Sequence, residues 1–419
     1  MNVDRGEQQL VERVAAVDVG KAEVVCCVRI PGRGRARLQE VRSFATMTRR
    51  LLELSDWLAE CGVTRVVMEA TSDYWKPVFY LLEARFETWL VNAKDVKHLP
   101  GRPKTDRLDA VWLCRVAERD MLRPSFVPPP RIRELRDLTR YRSDLVSART
   151  AEKQRVEKLL EDAQIKLSVV ASDLFGVSGR AMMAALVHGE RDPKVLAGMA
   201  LRRLKAKTGR LEEAFEGRFS DHHAFLLRTM LGRIDGLSAD IAVVDGRIEE
   251  QVSPFGDVLE RLDEIPGVGP TIARVIVAEV GLDMTRFPTA AHLASWARFA
   301  PVVKESAGRT KGTGGTGKGN RYLARVLGEA VVGAARTDTF LGQRYRRLVR
   351  RRGKGRALVA VGRSILTVVW HILSEPDTHF HDLGPDYHEL HVNQGRKVRN
   401  HIRELQQLGY HVTLEPTAA

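Results

Sequence analysis

The spacing of apolar and polar positions changes character several times along the chain. Between residues 13 and 120, short apolar runs alternate with amphipathic stretches. The runs at 14–19, 24–30 and 37–44 read as three consecutive strands, with Asp18-Val19-Gly20-Lys21 leading from the first towards the second. Residues 47–60 carry apolar positions at helical spacing, 64–70 reads as a buried strand, 74–85 as a helix, 87–91 as a strand and 104–119 as a helix. Three strands in a row, then alternating helices and strands, predict a mixed sheet with helices on its faces.

Pro124 and the run Pro128-Pro129-Pro130 mark a boundary. Beyond it the pattern is helical. Residues 131–166 have no Gly or Pro and predict one long helix, a coiled-coil arm whose charged face is either solvated or a partner interface. Residues 172–209 are broken into short helices. Long periodicity resumes over 210–252, so a helical hairpin is expected. Helical patterns at 258–264, 271–280, 291–299 and 321–335 follow, and the last segment, 398–414, reads as helix then strand. The fold class is therefore α/β plus all-α. The order of the first strands is that of an RNase H-like domain, followed by a helical middle and a mostly helical C-terminal domain. The expected divisions are 1–130, 131–255, 256–376 and a tail, 377–419.

Charge sharpens this picture. The net charge is +14, and between residues 301 and 356 there are 15 Lys and Arg against 3 acidic residues. Such a bias predicts a polyanionic partner. No apolar run reads as a membrane span and no secretory leader is evident, so nucleic acid is expected rather than a membrane. Cys26, Cys27, Cys61 and Cys114 lack zinc-ligand spacing and read as small buried or half-buried apolar residues of a reducing cytoplasm. Only 6% of the chain is aromatic, which argues against extensive base stacking and for phosphate grip.

Four acids stand where phosphodiester chemistry needs them. Asp18 and Glu69 close apolar runs, and Asp106 and Asp109 lie three apart at the start of a helical pattern, on one face. A lone strand-end Asp is more often a turn or cap residue. Strand-end placement combined with an i, i+3 pair in a basic chain points instead to convergence around Mg²⁺, in the usual case two ions roughly 3.5–4 Å apart.

The second half carries the basic motifs. Ile265-Pro266-Gly267-Val268-Gly269-Pro270 joins two helical patterns. It is either an ordinary connection or a helix-hairpin-helix-like turn in which Gly267 and Gly269 open amides to phosphate. Lys304, Arg309 and Lys311 surround Ser306, and the glycine run 312–319 is expected to be a flexible basic loop against nucleic-acid backbone. Gly312 to Lys318 matches the start of a Walker A loop, but Gly319 replaces the metal-holding hydroxyl and no buried apolar strand precedes it, which argues against a nucleotide P-loop. Asn320 is a candidate cap for the next helix, whose first residue is Arg321. Arg344, Arg347, Arg351 and Lys354 fall on one helical stripe suited to phosphates. Seven of the twelve His lie between His371 and His411 without a zinc pattern, and read as solvated or nucleic-acid-contacting.

Taken in order, Val17-Asp18-Val19-Gly20-Lys21, Met68-Glu69-Ala70-Thr71 and Lys104-Thr105-Asp106-Arg107-Leu108-Asp109-Ala110 resemble the DEDD transposases of bacterial insertion-sequence family one-ten. The turn at 265–270, Ala278-Glu279-Val280-Gly281, Ser306-Ala307-Gly308-Arg309 and Asn320-Arg321-Tyr322-Leu323 resemble that family's C-terminal domain. The resemblance extends from about residue 13 to about residue 376. It implies a RuvC-like first domain with Asp18, Glu69, Asp106 and Asp109 holding Mg²⁺, and a nucleophilic Ser306 that forms a phosphoserine with DNA. It also implies dimers paired into tetramers, active sites shared between subunits, and a non-coding bridge RNA that selects donor and target DNA. Ser306-Ala307-Gly308 departs from the Ser-Gly-Gly of some relatives. The function expected is an RNA-guided DNA transposase or recombinase acting in the cytoplasm at the nucleoid. The alternative is a hydrolytic RuvC-like nuclease or junction resolvase without a covalent intermediate.

Overall fold

The computed structural model describes residues 11–414 apart from 35, 94–95, 97–104, 302, 307–308, 314–315, 318 and 391–393; the side chains of 106, 303–306, 309–313, 389 and 394–397 are also outside the described part. The chain divides into two compact units, one ending at Val127 and one starting at Pro128.

The first unit is a five-stranded mixed sheet with helices. Its elements are β1 (Val14–Val19), β2 (Glu23–Pro31), β3 (Arg37–Ala45), α1 (Thr48–Glu60), β4 (Arg65–Glu69), α2 (Trp75–Leu82), β5 (Glu87–Val91) and α3 (Asp106–Glu118). The strand order is β3-β2-β1-β4-β5. The first three strands form an antiparallel meander, and β4 and β5 continue it in parallel with β1. These elements lie where apolar periodicity predicts them, with small shifts at their ends.

Alternation along each strand decides which core it feeds. Ala15, Val17, Val19 and Met68 pack with Leu54 and Leu58 of α1 and Leu82 of α2. Val14, Ala16 and Val67 face the opposite way and pack with Ala110, Leu113, Cys114 and Ala117 of α3. Those α3 positions follow i, i+3, i+4, i+7, so one stripe of the helix is spent on the sheet. β1 is covered on both faces, which explains its continuous apolar run. Cys26, Cys27 and Cys114 are free and buried, and Cys61 is free and half-buried, as their setting in apolar runs predicts.

The second unit opens with α4 (Pro130–Asp162), started by a proline whose missing N–H costs a first turn nothing. Short helices at Leu167–Val170, Val177–Val187, Pro193–Gly198 and Thr208–Ala214 follow, then α5 (Asp221–Val252). Polar contacts join Glu134 to Gln251, Arg142 to Asp245, Arg149 to Ser238 and Glu152 to Arg233. The partners run in opposite order, so α4 and α5 form an antiparallel hairpin, each arm roughly 50 Å long at 1.5 Å per residue. The short helices bury Met182, Met183, Leu186 and Leu211 against Val156, Leu160, Leu227 and Leu231 at its far end. The second arm starts at Asp221 rather than at 210. Gly217 lies where a Cβ would meet the Ala163 carbonyl oxygen at 2.6 Å, and Ser220 and His223 then form a capping box that begins a new helix.

The rest of the unit comprises α6 (Gly256–Asp263), α7 (Pro270–Val280), α8 (Ala290–Trp296), β6 (Val303–Ser306), β7 (Arg309–Thr313), α9 (Arg321–Ala334), α10 (Phe340–Arg352) and α11 (Lys354–Ser374). Helix α11 is long and apolar enough to cross a membrane by length and composition, although Arg356 and Arg363 interrupt its apolar run. Its Val361, Ile365, Leu366, Val369 and Ile372 are buried, and it packs against α6, α8, α9 and α10.

The stretch at 303–313, for which the sequence pattern predicts no element before the glycine run, is backbone-paired as an antiparallel β-hairpin. Two further expectations change. Lys354 does not extend the Arg344–Arg347–Arg351 stripe, because Gly353 adopts φ +79 and ends α10 before α11 begins. The last segment has a helix at Gln394–Gln407 and no strand over 408–414.

One buried carboxylate ties the root of the hairpin to the remainder of the unit. Glu279 of α7 is fully buried and accepts from Arg140 Nε at 2.7 Å and from its second terminal nitrogen at 2.8 Å. Arg136 lies 3.3 Å from the same carboxylate and also donates to the Ala278 and Glu279 carbonyls. Asn320 donates to Glu279 through Nδ2 at 2.5 Å, while its Oδ1 accepts from the Tyr322 and Leu323 N–H groups and caps α9 as expected. A second contact is purely steric. Gly267 has φ +87, and a Cβ there would stand 2.1 Å from the Ala330 carbonyl oxygen in α9.

Glu279→Ala is expected to cost about 3–5 kcal/mol, since it leaves two arginines without their counter-charge; urea denaturation of the full chain measures this, and a loss below about 1 kcal/mol would contradict it. Gly267→Ala should lower the melting temperature well below that of Gly269→Ala, because Gly269 has φ −95 and no neighbour within reach of an added Cβ.

Candidate active site

The first-unit site follows from strand parity. Asp18 has the parity of Val14 and Ala16, and Glu69 that of Val67, so both acids belong to the α3 face of the sheet. β1 and β4 are parallel, with Val17 opposite Met68, so the next residues, Asp18 and Glu69, lie side by side at the carboxyl ends of adjacent strands. That is where open α/β sheets place their functional groups. Asp109 is on the first turn of α3, its N–H bound to the Thr105 carbonyl at 2.7 Å.

Asp18, Glu69 and Asp109 line one small cavity together with Trp112 and Leu113. Its volume is about 10 Å³, the space of a single water-sized sphere. All three acids are half-buried. Three oxygen-donor side chains around such a space suit a hard divalent cation in kind. Among the described residues, however, no three His, Cys, Asp or Glu side chains already stand in metal-holding proximity. The Asp106 backbone begins α3, and its side chain lies outside the described residues. Sequence reasoning missed Trp112 as a wall of this cavity. The signal was available, because Trp112 follows Asp109 by three on the same helix.

The second-unit residues occupy three places. Ser306 ends β6 and pairs directly with Arg309 of β7, so the hairpin puts a basic residue opposite the serine. Lys304 and Lys311 are on the same two strands; the side chains of these four residues lie outside the described part, as does Lys318 altogether. Gly267 and Gly269 flank the turn into α7, with Gly267 committed to its approach to α9. Arg321 opens α9, paired with Asp144 of α4 at 3.5 Å and bonded to the Tyr322 hydroxyl, and remains largely exposed.

On α10, Arg347 and Arg351 are exposed, whereas Arg344 is half-buried. Burial, and secondarily Arg347, pull the Arg344 guanidinium below its ordinary pKa. The His-rich tail is partly pinned down. His379 Nδ1 lies 2.7 Å from Glu264 Oε1, and the Phe380 N–H donates to Glu264 Oε2 at 2.9 Å. The His379 bond, then the Phe380 N–H, hold the Glu264 carboxyl below the usual range. Glu279 entered the sequence reading only as part of a motif and Asn320 only as a motif residue and helix cap; their joint structural role had no signal in local pattern.

Comparison with known proteins places both halves in one group. A DEDD transposase model of the IS110 group matches residues 15–165, and a model described as transposase of the IS116/IS110/IS902 family matches residues 259–346. The 42 kDa protein of insertion element IS900 from Mycobacterium paratuberculosis is 28% identical over 389 residues, covering 86% of this chain and 95% of the relative. The transposase for insertion sequence element IS1111A of Coxiella burnetii is 25% identical over 331 residues, covering 77% and 81%. A probable family 20 transposase of Pseudomonas aeruginosa is 25% identical over 329 residues, covering 77% and 87%. With an acid-lined sheet end in its first part and the matching C-terminal region in its second, the chain belongs to the IS110 family of insertion-sequence transposases.

Proposed function

We propose that the protein cuts and rejoins DNA strands through its acid site and a covalent bond to Ser306, with a bridge RNA choosing the sequences joined. The observation that carries this reading is the convergence of Asp18, Glu69 and Asp109 on one cavity. The first unit then serves as an RNase H-like, RuvC-like domain, a reading supported by the strand order β3-β2-β1-β4-β5 and by the acids at its parallel strand ends.

Asp18, Glu69, Asp109 and Asp106 would hold Mg²⁺, with two ions the expected number. When bound, such ions neutralise the phosphodiester and favour in-line displacement. The protein's own part is to supply the nucleophile and the grip. The Ser306 oxygen attacks phosphorus and loses its proton, a P–O(serine) bond forms, the P–O bond to the departing strand breaks, and that strand leaves as a hydroxyl after taking up a proton. A new hydroxyl then reverses the exchange. One phosphodiester is traded for another with no external energy source. Arg309, facing Ser306 across the hairpin, together with Lys304, Lys311 and Lys318, would hold the phosphate. The turn at Gly267 and Gly269, and Arg321, Arg344, Arg347 and Arg351, would hold neighbouring backbone. Following the family resemblance, acids and serine come from different subunits of a dimer-based tetramer, which acts on DNA in the cytoplasm.

With purified protein, flanking RNA and target DNA in Mg²⁺, a covalent protein–DNA band should form and map to Ser306. Ser306→Ala should abolish the band while DNA binding persists; continued strand cleavage by that variant would favour the hydrolytic nuclease instead. Asp18→Ala or Glu69→Ala, or EDTA, should reduce strand cleavage about 10³-fold or more without loss of folding by circular dichroism. Undiminished cleavage in both variants would remove the acids from the mechanism.

A further inference from the structure

Two adjoining cavities run along α10 and α11 in the second unit. The larger, about 850 Å³, is lined by Phe299, Arg344, Arg352, Arg356 and Arg363 among others. The smaller, about 510 Å³, has Phe340, His371, His379 and Phe380 in its wall. Arg344, Ser364 and Thr367 line both, so the cavities share a boundary and form one groove.

Among the described residues, no acidic side chain lines either cavity. Arginines elsewhere in this chain are commonly matched: Arg140 with Glu279, Arg142 with Asp245, Arg180 with Asp235, Arg274 with Glu249. Among the described residues, none of the four groove arginines has a side-chain ion pair or hydrogen bond. The Nε of Arg344 is fully covered and has no acceptor. A cation withdrawn from water without a partner is costly. Arg344 is in that position, and with the exposed Arg352, Arg356 and Arg363 around the same concavity it marks a place where negative charge is supplied from outside the chain.

The far end of the groove has different chemistry. Phe340, Phe380 and three imidazoles offer flat faces, and the wall they form is built in. Glu264 fixes His379 and Phe380, and buried Arg261 donates to the Ile372, Glu375 and Thr378 carbonyls at the end of α11. A ligand that matches both ends has phosphates and planar rings. The cavity volumes are those of clefts for small organic molecules, roughly 300–1,000 Å³. A duplex presents phosphates but keeps its bases stacked inside, so it satisfies only the arginine end. Unpaired nucleotides satisfy both ends, with backbone on the cations and bases on the aromatic faces.

We propose that this groove binds a single-stranded stretch of nucleic acid, phosphates against Arg344, Arg352, Arg356 and Arg363, and bases against Phe340 and Phe380. Neither the acids nor Ser306 is among the described residues that line the groove, so its test requires neither metal nor catalysis and stands or falls separately from the strand-transfer reading.

The test is fluorescence anisotropy of the full chain in EDTA with labelled oligouridylate, oligothymidylate and a duplex of equal length, over a range of salt. Single strands should bind about tenfold or more tightly than the duplex; the tighter of the two homopolymers identifies RNA or DNA as the source. The exposed triple variant Arg352→Ala, Arg356→Ala, Arg363→Ala should weaken single-strand binding at least about tenfold and flatten the log–log salt slope by about 2, three contacts at roughly 0.7 each. Phe380→Ala should weaken it about 5- to 100-fold while leaving the salt slope unchanged. Circular dichroism of both variants controls for folding. Equal losses for duplex and single strand in the triple variant, or no loss for either, would overturn the proposal.

Discussion

The second unit depends on one desolvated carboxylate. Glu279 is fully buried and is satisfied by two arginines from α4 and by the side-chain amide of Asn320. Buried ion pairs are a poor source of net stability, because desolvation of each charge offsets much of the attraction. What this one supplies is geometry. A planar guanidinium bound through two nitrogens fixes the rotation of α4 against α7, and the amide fixes where α9 begins. Neutral packing of the same volume would allow those helices to slide.

That constraint matters because of what is attached to it. Asn320 follows the glycine run, so the carboxylate sets the point at which the β6–β7 hairpin re-enters regular structure. Ser306 is on that hairpin. Arg321 and Tyr322, next along the chain, reach back to Asp144 on the same arm at 3.5 and 2.9 Å. The serine segment is thus framed on its C-terminal side by contacts to α4, and the chemistry assigned to it inherits whatever precision those contacts have.

Legibility in the sequence followed the strength of the periodic signal. The strands holding Asp18 and Glu69 were readable because apolar residues stop where each acid begins, and α3 because Ala110, Leu113, Cys114 and Ala117 repeat at helical spacing. The hairpin at 303–313 was not readable. Lys-Glu-Ser and Arg-Thr-Lys-Gly carry no apolar alternation, so pairing there leaves no trace in hydrophobic pattern. Gly353 did carry a stop signal, yet the run of arginines before it masked the end of α10 and made Lys354 look continuous. The restart at Asp221 was hidden similarly, since the short helix before it has the same local composition. Glu279 lies in Val275–Val280, an apolar stretch that conceals a charge; only the fold reveals its partners. The acid cavity itself was half legible: strand parity and the helical position of Asp109 bring its acids together, and Trp112, one i, i+3 step beyond Asp109, is the wall that the same periodicity offered and the reading of acids alone passed over.

Strand parity in β1 has an evolutionary corollary. Neighbouring residues on that strand serve opposite cores, Val17 beneath α1 and α2, Asp18 towards α3. Deleting or adding one residue between Val14 and Val17 would exchange the two sets, driving the carboxylate into hydrocarbon and a valine into the acid pocket. Substitutions can accumulate on such a strand, but its length cannot drift. Length variation among family members should therefore concentrate in the β2–β3 turn and the helical hairpin, and spare the segment leading to Asp18.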